Sequence, residues 1–306
     1  MPRHIPGLHH VTAISGPPQR NVAFYTGTLA QRLVKKTVNF DDPGTYHLYY
    51  GDRAGSPGTI LTFFPFADAG AGRAGPGMAS AYAYAVPAGG FDAWVERLAG
   101  AGAVTEGPSE RFGARVLTVH DPDGAPVELV ETGRDSEEPL DGFHSVTLWV
   151  NDIAPTARLL TDVFGYAEQG TETAGGGERL RLVAPGGARA AVVDVMRRDD
   201  ARPGRPGTGT IHHVAFRAET REAHAAWREA VRSAGFDVTP VIDRQYFDAI
   251  YFREPGGILF EIATDPPGFA RDEPVEHLGE NLMLPERYEA MRSQIEARLP
   301  PLEVSA

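Results

Sequence analysis

The chain has 306 residues, 42% apolar and 23% charged, enough for two ordinary domains or one bilobed unit with a sizeable core. Its formal net charge of −12 argues against nucleic acid or an anionic membrane as partner, since both need a cationic surface. No long apolar run suggests a membrane span, MPRHIPGLHHVT lacks a signal peptide's apolar core, and the absence of cysteine excludes disulfides and thiolate chemistry, so the expected location is cytoplasmic.

Along the chain, four segments follow one plan: a strand, an amphipathic helix, then strands closing at a Pro/Gly turn. The first, about Gly7 to Phe66, opens with LHHVTAI. It continues into NVAFYTGTLAQRL, where Val22, Phe24, Tyr25, Leu29 and Leu33 recur at roughly helical spacing. Residues 67–78, ADAGAGRAGPGM, read as a flexible connection. The second segment, about Ala79 to Thr132, has strand SAYAYAV, helix FDAWVERLAGAG and closing strands RVLTVHDPDGAPVELVE. Polar Gly133 to Asp141 links to the third, about Gly142 to Met196, with strand FHSVTLWV and helix TARLLTDVFG. The fourth, about Gly209 to Asp265, has IHHVAFRA, EAHAAWREAVRSAG and DAIYFREPGGILFEIAT. A last helix is expected from Pro285 to Arg298. These units predict an α+β fold of four βαβββ modules paired into two curved-sheet halves. Residues 1–135 form the N-terminal half, 136–268 the C-terminal half and 269–306 a tail.

The repeat is an internal control. Aligning Pro122 with Pro255 sets Glu128 (PVELVE) opposite Glu261 (ILFEIA). Aligning the first strands sets Ala81 near His213, and His144 near His10. His10 and His213 therefore hold equivalent sites in the outer modules, with Glu261 on a late strand of the module that carries His213. Two histidines and a carboxylate make a facial three-ligand set with open positions. That set suits non-haem Fe(II), and hydrolytic zinc in principle. Strand parity groups His213 with Ala215 and Arg217, away from apolar Val214 and Phe216, and so aims it at the cleft; His10 goes with Thr12. His9 and His212 can still flank the metal if a strand bulges or the cleft edge is broad.

One HH pair in a strand would read as a satisfied structural histidine. Recurrence at equivalent repeat positions, plus a glutamate between Phe260 and Ile262 that is costly unless paired or metal-bound, reverses that reading. Glu128 is embedded in the same way, with His144 as its available partner, and reads as an incomplete, structural second site. His4, His47, His120, His224 and His277 give weaker cases.

At these residues the sequence resembles the vicinal oxygen chelate superfamily, which includes glyoxalase I, extradiol dioxygenases and fosfomycin- and bleomycin-resistance proteins. More narrowly, it is similar to ring-cleaving dioxygenases of hydroquinones. The resemblance runs through LHHVT, FYTGTLAQRLVKKTVNFDDPGTYHLYYGD, PGTILTFFPF, FHSVT, IHHVAF, DRQYFDAIYFREPGGILFE, FARDE and LGENLMLP, nearly the whole chain. It implies Fe(II) held by His10, His213 and Glu261, with Mn(II) able to replace it. It also implies catalytic roles for His9, Thr12, His212, Arg244 and Tyr251, with a small aromatic diol and molecular oxygen as partners. Homo-oligomerisation stays open.

Three rivals stand beside this reading. A glyoxalase-like enzyme would want a second carboxylate in module one, where TILTFFPF has no acid. A metal-free drug-binding protein would need no ligand trio. A catechol extradiol dioxygenase usually draws its ligands from one half of the chain.

Overall fold

The computed structural model describes residues 4–174, 176–187, 189–199 and 202–304. Module one consists of β1 (Leu8–Ser15), α1 (Pro18–Val22) running on as a π-helical turn (Ala23–Thr28), β2 (Arg32–Val38), β3 (Tyr46–Gly51) and β4 (Ile60–Pro65). Module two has β5 (Met78–Val86), α2 (Phe91–Gly100), β6 (Thr105–Arg111), β7 (Ala114–His120) and β8 (Pro126–Glu131). Module three has β9 (Phe143–Trp149), α3 (Ile153–Arg158) with a second π turn (Leu159–Val163), β10 (Ala167–Ala174), β11 (Gly177–Val183) and β12 (Val192–Arg198). Module four has β13 (Thr210–Ala218), α4 (Arg221–Ser233), β14 (Ile242–Asp243), β15 (Phe247–Arg253) and β16 (Leu259–Pro267). The four expected βαβββ units are all present.

Two eight-stranded sheets result, in the orders β14-β15-β16-β13-β1-β4-β3-β2 and β10-β11-β12-β9-β5-β8-β7-β6. In each module the first strand lies parallel to the last, and antiparallel to the first strand of a partner module. The sheets cut across the sequence halves: modules one and four build the outer-module sheet, modules two and three the inner-module sheet. This pairing closes the distance of about two hundred residues between the two HH phrases. Helices cover the opposite faces with their apolar stripes, Phe91, Trp94 and Leu98 on α2, and Trp227 and Val231 on α4. Phe164, Phe216, Trp227, Phe252 and Phe260 form one aromatic cluster there, each burial contributing about 1.5–3 kcal/mol. No helix among the described residues is long and apolar enough to cross a membrane.

Two expectations need correction. The helix across NVAFYTGTLAQRL stops early, where Leu29 N donates to the Phe24 carbonyl (3.1 Å) and Gln31 N to that of Tyr25 (2.8 Å). Its apolar spacing ran on because Leu33, already in β2, is buried in the same core. Nor are residues 67–78 a loose connection. Gly72 N donates to the Thr208 carbonyl, and Arg73 and Arg205 exchange two backbone bonds, all 2.8 Å long. The segments joining β4 to β5 and β12 to β13 both run between the sheets and touch at their glycines. A Cβ on Gly72 or Gly207 would overlap the other's backbone, so these glycines serve close approach rather than freedom.

The tail packs on module one. Fully buried Lys35 of β2 is paired with Asp272 (2.6 Å) and Glu273 (2.5 Å). The expected last helix is two pieces, α5 (Glu286–Glu289) and α6 (Arg292–Arg298). Arg287 and Tyr288 donate to the Phe40 carbonyl (3.0 and 2.7 Å), which fixes the Asn39–Asp41 loop at the edge of the outer-module cavity.

Candidate metal centre

The β1–β13 ladder slips twice. One shift lies between Leu8 and His10, leaving His9 as an extra residue; the other lies between Thr12 and Ala13, leaving His212 extra on β13. Both HH pairs are therefore β-bulges. On a flat strand, neighbouring side chains would point to opposite faces. Here the imidazoles of each pair touch instead, with Nδ1···Nδ1 distances of 2.9 Å for His9–His10 and 2.7 Å for His212–His213.

The contacts leave the Nε2 atoms of His10 and His213 facing Glu261 Oε2, at 3.3 and 2.8 Å, and 3.4 Å from each other. Among the described residues this is the only group of three or more metal-type side chains, with candidate ligand atoms all within 4.8 Å of one another. Glu261 is fully buried, yet neither carboxylate oxygen makes a well-formed hydrogen bond, although the two imidazole Nε2 atoms stand close by. A buried carboxylate without hydrogen bonds is expensive, and a cation between the three groups would remove that cost. Burial alone would raise the Glu261 carboxyl, but the two histidines outweigh it and hold it well below the usual carboxylate range. Burial lowers His213, more strongly than Glu261 raises it. An ionised carboxylate and a neutral imidazole are the metal-binding forms. With a metal held at Nε2, the remaining proton of each imidazole would sit on Nδ1 and donate to the adjacent histidine. Burial, reinforced by His10, also lowers His9, while His212, more open to solvent, is lowered to about 4 by partial desolvation and by His213.

The cavity beside these groups has a volume of about 330 Å³. An apolar cavity of roughly 150 Å³ already admits benzene, so there is room for a substituted single ring. His10, Thr12, His212, His213, Arg244, Tyr251 and Glu261 line it; His9 does not, and stands behind His10 against Phe247 (ring centroids 5.3 Å). Arg244 Nε donates to Tyr251 Oη (3.2 Å) and its Nη1 to Asp41 at the rim (3.2 Å). Burial, and then Glu261, push the Tyr251 phenol well above its ordinary range, so its own proton stays available to the cavity. Phe64, Phe247 and Leu259 supply apolar wall.

The sequence does not single out Asp41, Tyr49 or Phe247, and gives His47 only a weaker case. Period-two alternation in YHLYYG puts His47 and Tyr49 on one face of β3, a signal that was available.

The inner-module sheet repeats this architecture. Its β5–β9 ladder slips at Ser80 and His144. By register His144 matches His9, Ser145 matches His10 and Ala81 matches His213. His144 was expected opposite His10, and the bulge moves it by one residue. Its Nδ1 contacts Ser145 Oγ at 3.0 Å, as His9 contacts His10. Nor does Glu128 take His144 as partner: Arg111 grips it through two bonds of 2.6 and 2.7 Å. Beside the residue two beyond each ligand position, the last strands carry Thr62, Glu128, Asp194 and Glu261. In module one the place of a second carboxylate is thus held by Thr62.

The family model for the glyoxalase/bleomycin resistance protein/dioxygenase superfamily matches residues 7–129 and 142–262. MhqO of Bacillus subtilis, assigned by name to the ring-cleaving dioxygenases, is 46% identical over 97% of each chain. The chlorohydroquinone/hydroquinone 1,2-dioxygenase of Sphingobium indicum is 35% identical over 96% of each. A crystal structure of a Bacillus subtilis protein named as a dioxygenase superposes with a TM-score of 0.91 at 44% identity, covering 99% of both chains. The chain belongs to the glyoxalase/bleomycin resistance protein/dioxygenase superfamily, and its relatives are named as ring-cleaving dioxygenases.

Proposed function

From that membership and the centre's geometry, we propose that the chain is an Fe(II)-dependent ring-cleaving dioxygenase acting on hydroquinone or a substituted hydroquinone. The observation that carries this reading is Glu261, buried and without a hydrogen bond, facing two imidazole Nε2 atoms at the wall of a single-ring cavity. The hydroquinone substrate is supported by the name of the Sphingobium relative. His10, His213 and Glu261 would hold the ion, and Fe(II) there would supply a redox-active Lewis acid with its remaining positions open, a role Mn(II) could also fill.

The chain's own groups do the rest. His9 and His212 orient the ligand imidazoles through their Nδ1 contacts. Phe64, Phe247 and Leu259 hold the ring and exclude water. Arg244 presents a guanidinium, and Tyr251 a phenol proton, to oxygens that gain negative charge during cleavage. His212 lines the cavity and, with its Nδ1 accepting from His213, can donate from Nε2 to a substrate oxygen. Thr12 lies within the same wall and offers a hydroxyl. Thr62 in place of a second carboxylate weighs against a four-ligand glyoxalase-like centre and for one with open positions.

The test is oxygen uptake by protein loaded anaerobically with Fe(II), on adding hydroquinone. Uptake together with a ring-opened product that has gained two oxygen atoms is expected. An iron-replete protein that consumes no oxygen with hydroquinone or its substituted forms would overturn the reading.

A further inference from the structure

Four neighbouring side chains of the outer-module sheet are joined in one chain of hydrogen bonds. Thr12 Oγ1 meets Thr62 Oγ1 at 3.0 Å, Thr62 Oγ1 meets His47 Nε2 at 2.8 Å, and His47 Nδ1 meets Tyr49 Oη at 2.9 Å. Register dictates the arrangement. Thr62 lies opposite Thr12 on β1 and opposite Tyr49 on β3, and His47 is two residues along from Tyr49 on the same face. Thr12, His47 and Tyr49 line the cavity; Thr62 is fully buried behind them. The chain thus leaves the cavity at one point and returns at another.

We infer that Tyr49, His47, Thr62 and Thr12 form a proton relay with the His47 imidazole at its centre, serving the aromatic diol of the function proposed above. Every member can both donate and accept. In one state Tyr49 donates to Nδ1, Nε2–H donates to Thr62 and Thr62 donates to Thr12, so Thr12's own proton faces the cavity. In the other state every bond is reversed and the Tyr49 proton faces it. Conversion between them balances. A substrate hydroxyl gives its proton to Thr12 Oγ1, Thr12 passes its proton to Thr62, Thr62 passes its own to His47 Nε2, His47 releases the Nδ1 proton to Tyr49, and the phenol proton of Tyr49 leaves to an acceptor in the cavity. The imidazole changes tautomer, and no residue of the relay changes charge. The groups are held neutral as this requires: burial, followed by His10 and His213, lowers His47 well below its ordinary range, and burial, followed by Glu261, raises Tyr49.

A merely structural role is met differently in the same molecule. The matching positions of the inner-module sheet are Thr147, Asp194, Arg179 and Arg181. There Arg179 donates to Thr147 (3.1 Å) and Asp194 (3.3 Å), and Arg181 donates twice to Asp194 (2.8 Å). Guanidinium groups only donate and a carboxylate only accepts, so that network runs one way. The fold tolerates fixed ion pairs at this place, and the outer-module sheet has reversible groups instead.

The experiment compares Thr62→Val and Thr62→Ser with the wild type, all iron-loaded, using hydroquinone. T62V is expected to lose kcat by about 10²-fold, the lower range for positioned proton transfer, with little change in KM and a smaller solvent isotope effect; T62S is expected to restore both. A T62V variant with wild-type kcat and isotope effect overturns the relay, as does a T62S variant as impaired as T62V. The second readout is independent of turnover. Ring 15N resonances of His47, assigned by their loss in His47→Gln, are followed in the Zn(II)-loaded protein on adding hydroquinone or phenol. Exchange of the proton between Nδ1 and Nε2 is expected; one unchanged tautomer, or a doubly protonated ring, overturns the relay. If the iron-loaded wild type consumes no oxygen, the proposed function fails and the tautomer result alone decides the relay.

Discussion

In the outer-module cleft Glu261 faces two imidazoles and accepts no hydrogen bond, whereas in the inner-module cleft Glu128, at the same register, accepts two from Arg111. Arg111 is itself the counterpart of Arg244, since Thr118 stands opposite Glu128 as Tyr251 stands opposite Glu261. Of these matched arginines, Arg111 reaches its carboxylate, while Arg244 turns to Tyr251 and Asp41. Both clefts bury an acid at the same point of the fold. One neutralises it with its own cation; in the proposed function the other would receive a cation from outside, with two histidines placed to share the ion. The difference separates a carboxylate paired within the fold from one that the fold leaves without a cation of its own.

The comparison can be broken most forcefully at the ligands. Glu261→Gln is expected to reduce bound Fe(II) and turnover by more than the ~10–100-fold typical of an outer partner, measured by metal analysis and oxygen uptake. The corresponding change in the other cleft should strike stability instead. Arg111→Met leaves Glu128 buried and unpaired and is expected to cost about 3–5 kcal/mol in denaturant unfolding, with metal content unchanged. Replacing both partners, Arg111→Met with Glu128→Leu, should recover most of that loss.

Smaller effects separate the two bulge histidines. His9→Gln removes the group that backs His10 and is expected to weaken metal binding by ~10–100-fold in a competition titration. His144→Asn, at the matching position, should leave metal affinity alone. His144 does carry a pH signature, because burial, followed by Arg181, lowers it from 6.5 to about 4. The unfolded chain therefore takes up this proton first. The stability of the neutral form is fully present above about 6.5 and is lost as pH falls toward about 4. Substitution should flatten that limb by about 1–3 kcal/mol in unfolding free energies measured across the range.

Much of the centre was legible in the sequence because the chain carries its own control. A fourfold repeat with HH in the outer modules and Glu261 matched to Glu128 sufficed to join residues about two hundred positions apart. Strand parity aimed His213 at the cavity. It could not show His9 and His212 as bulge residues, because a bulge is a property of two strands and their register. The same one-residue slip misaligned His144. Composition made residues 67–78 look loose, since glycine reads alike whether it gives freedom or permits close approach. His47 makes only a weak case in the sequence, because its partner Thr62 reaches it only through sheet pairing.

The contrast between the clefts is tested most directly by anomalous diffraction from crystals grown with Fe(II) or Mn(II). One metal peak is expected, within bonding distance of His10 Nε2, His213 Nε2 and a Glu261 oxygen, with none beside Glu128, where Arg111 already supplies the charge. A peak in the Glu128 cleft, or an iron-dependent dioxygenase with no metal between His10, His213 and Glu261, would contradict it.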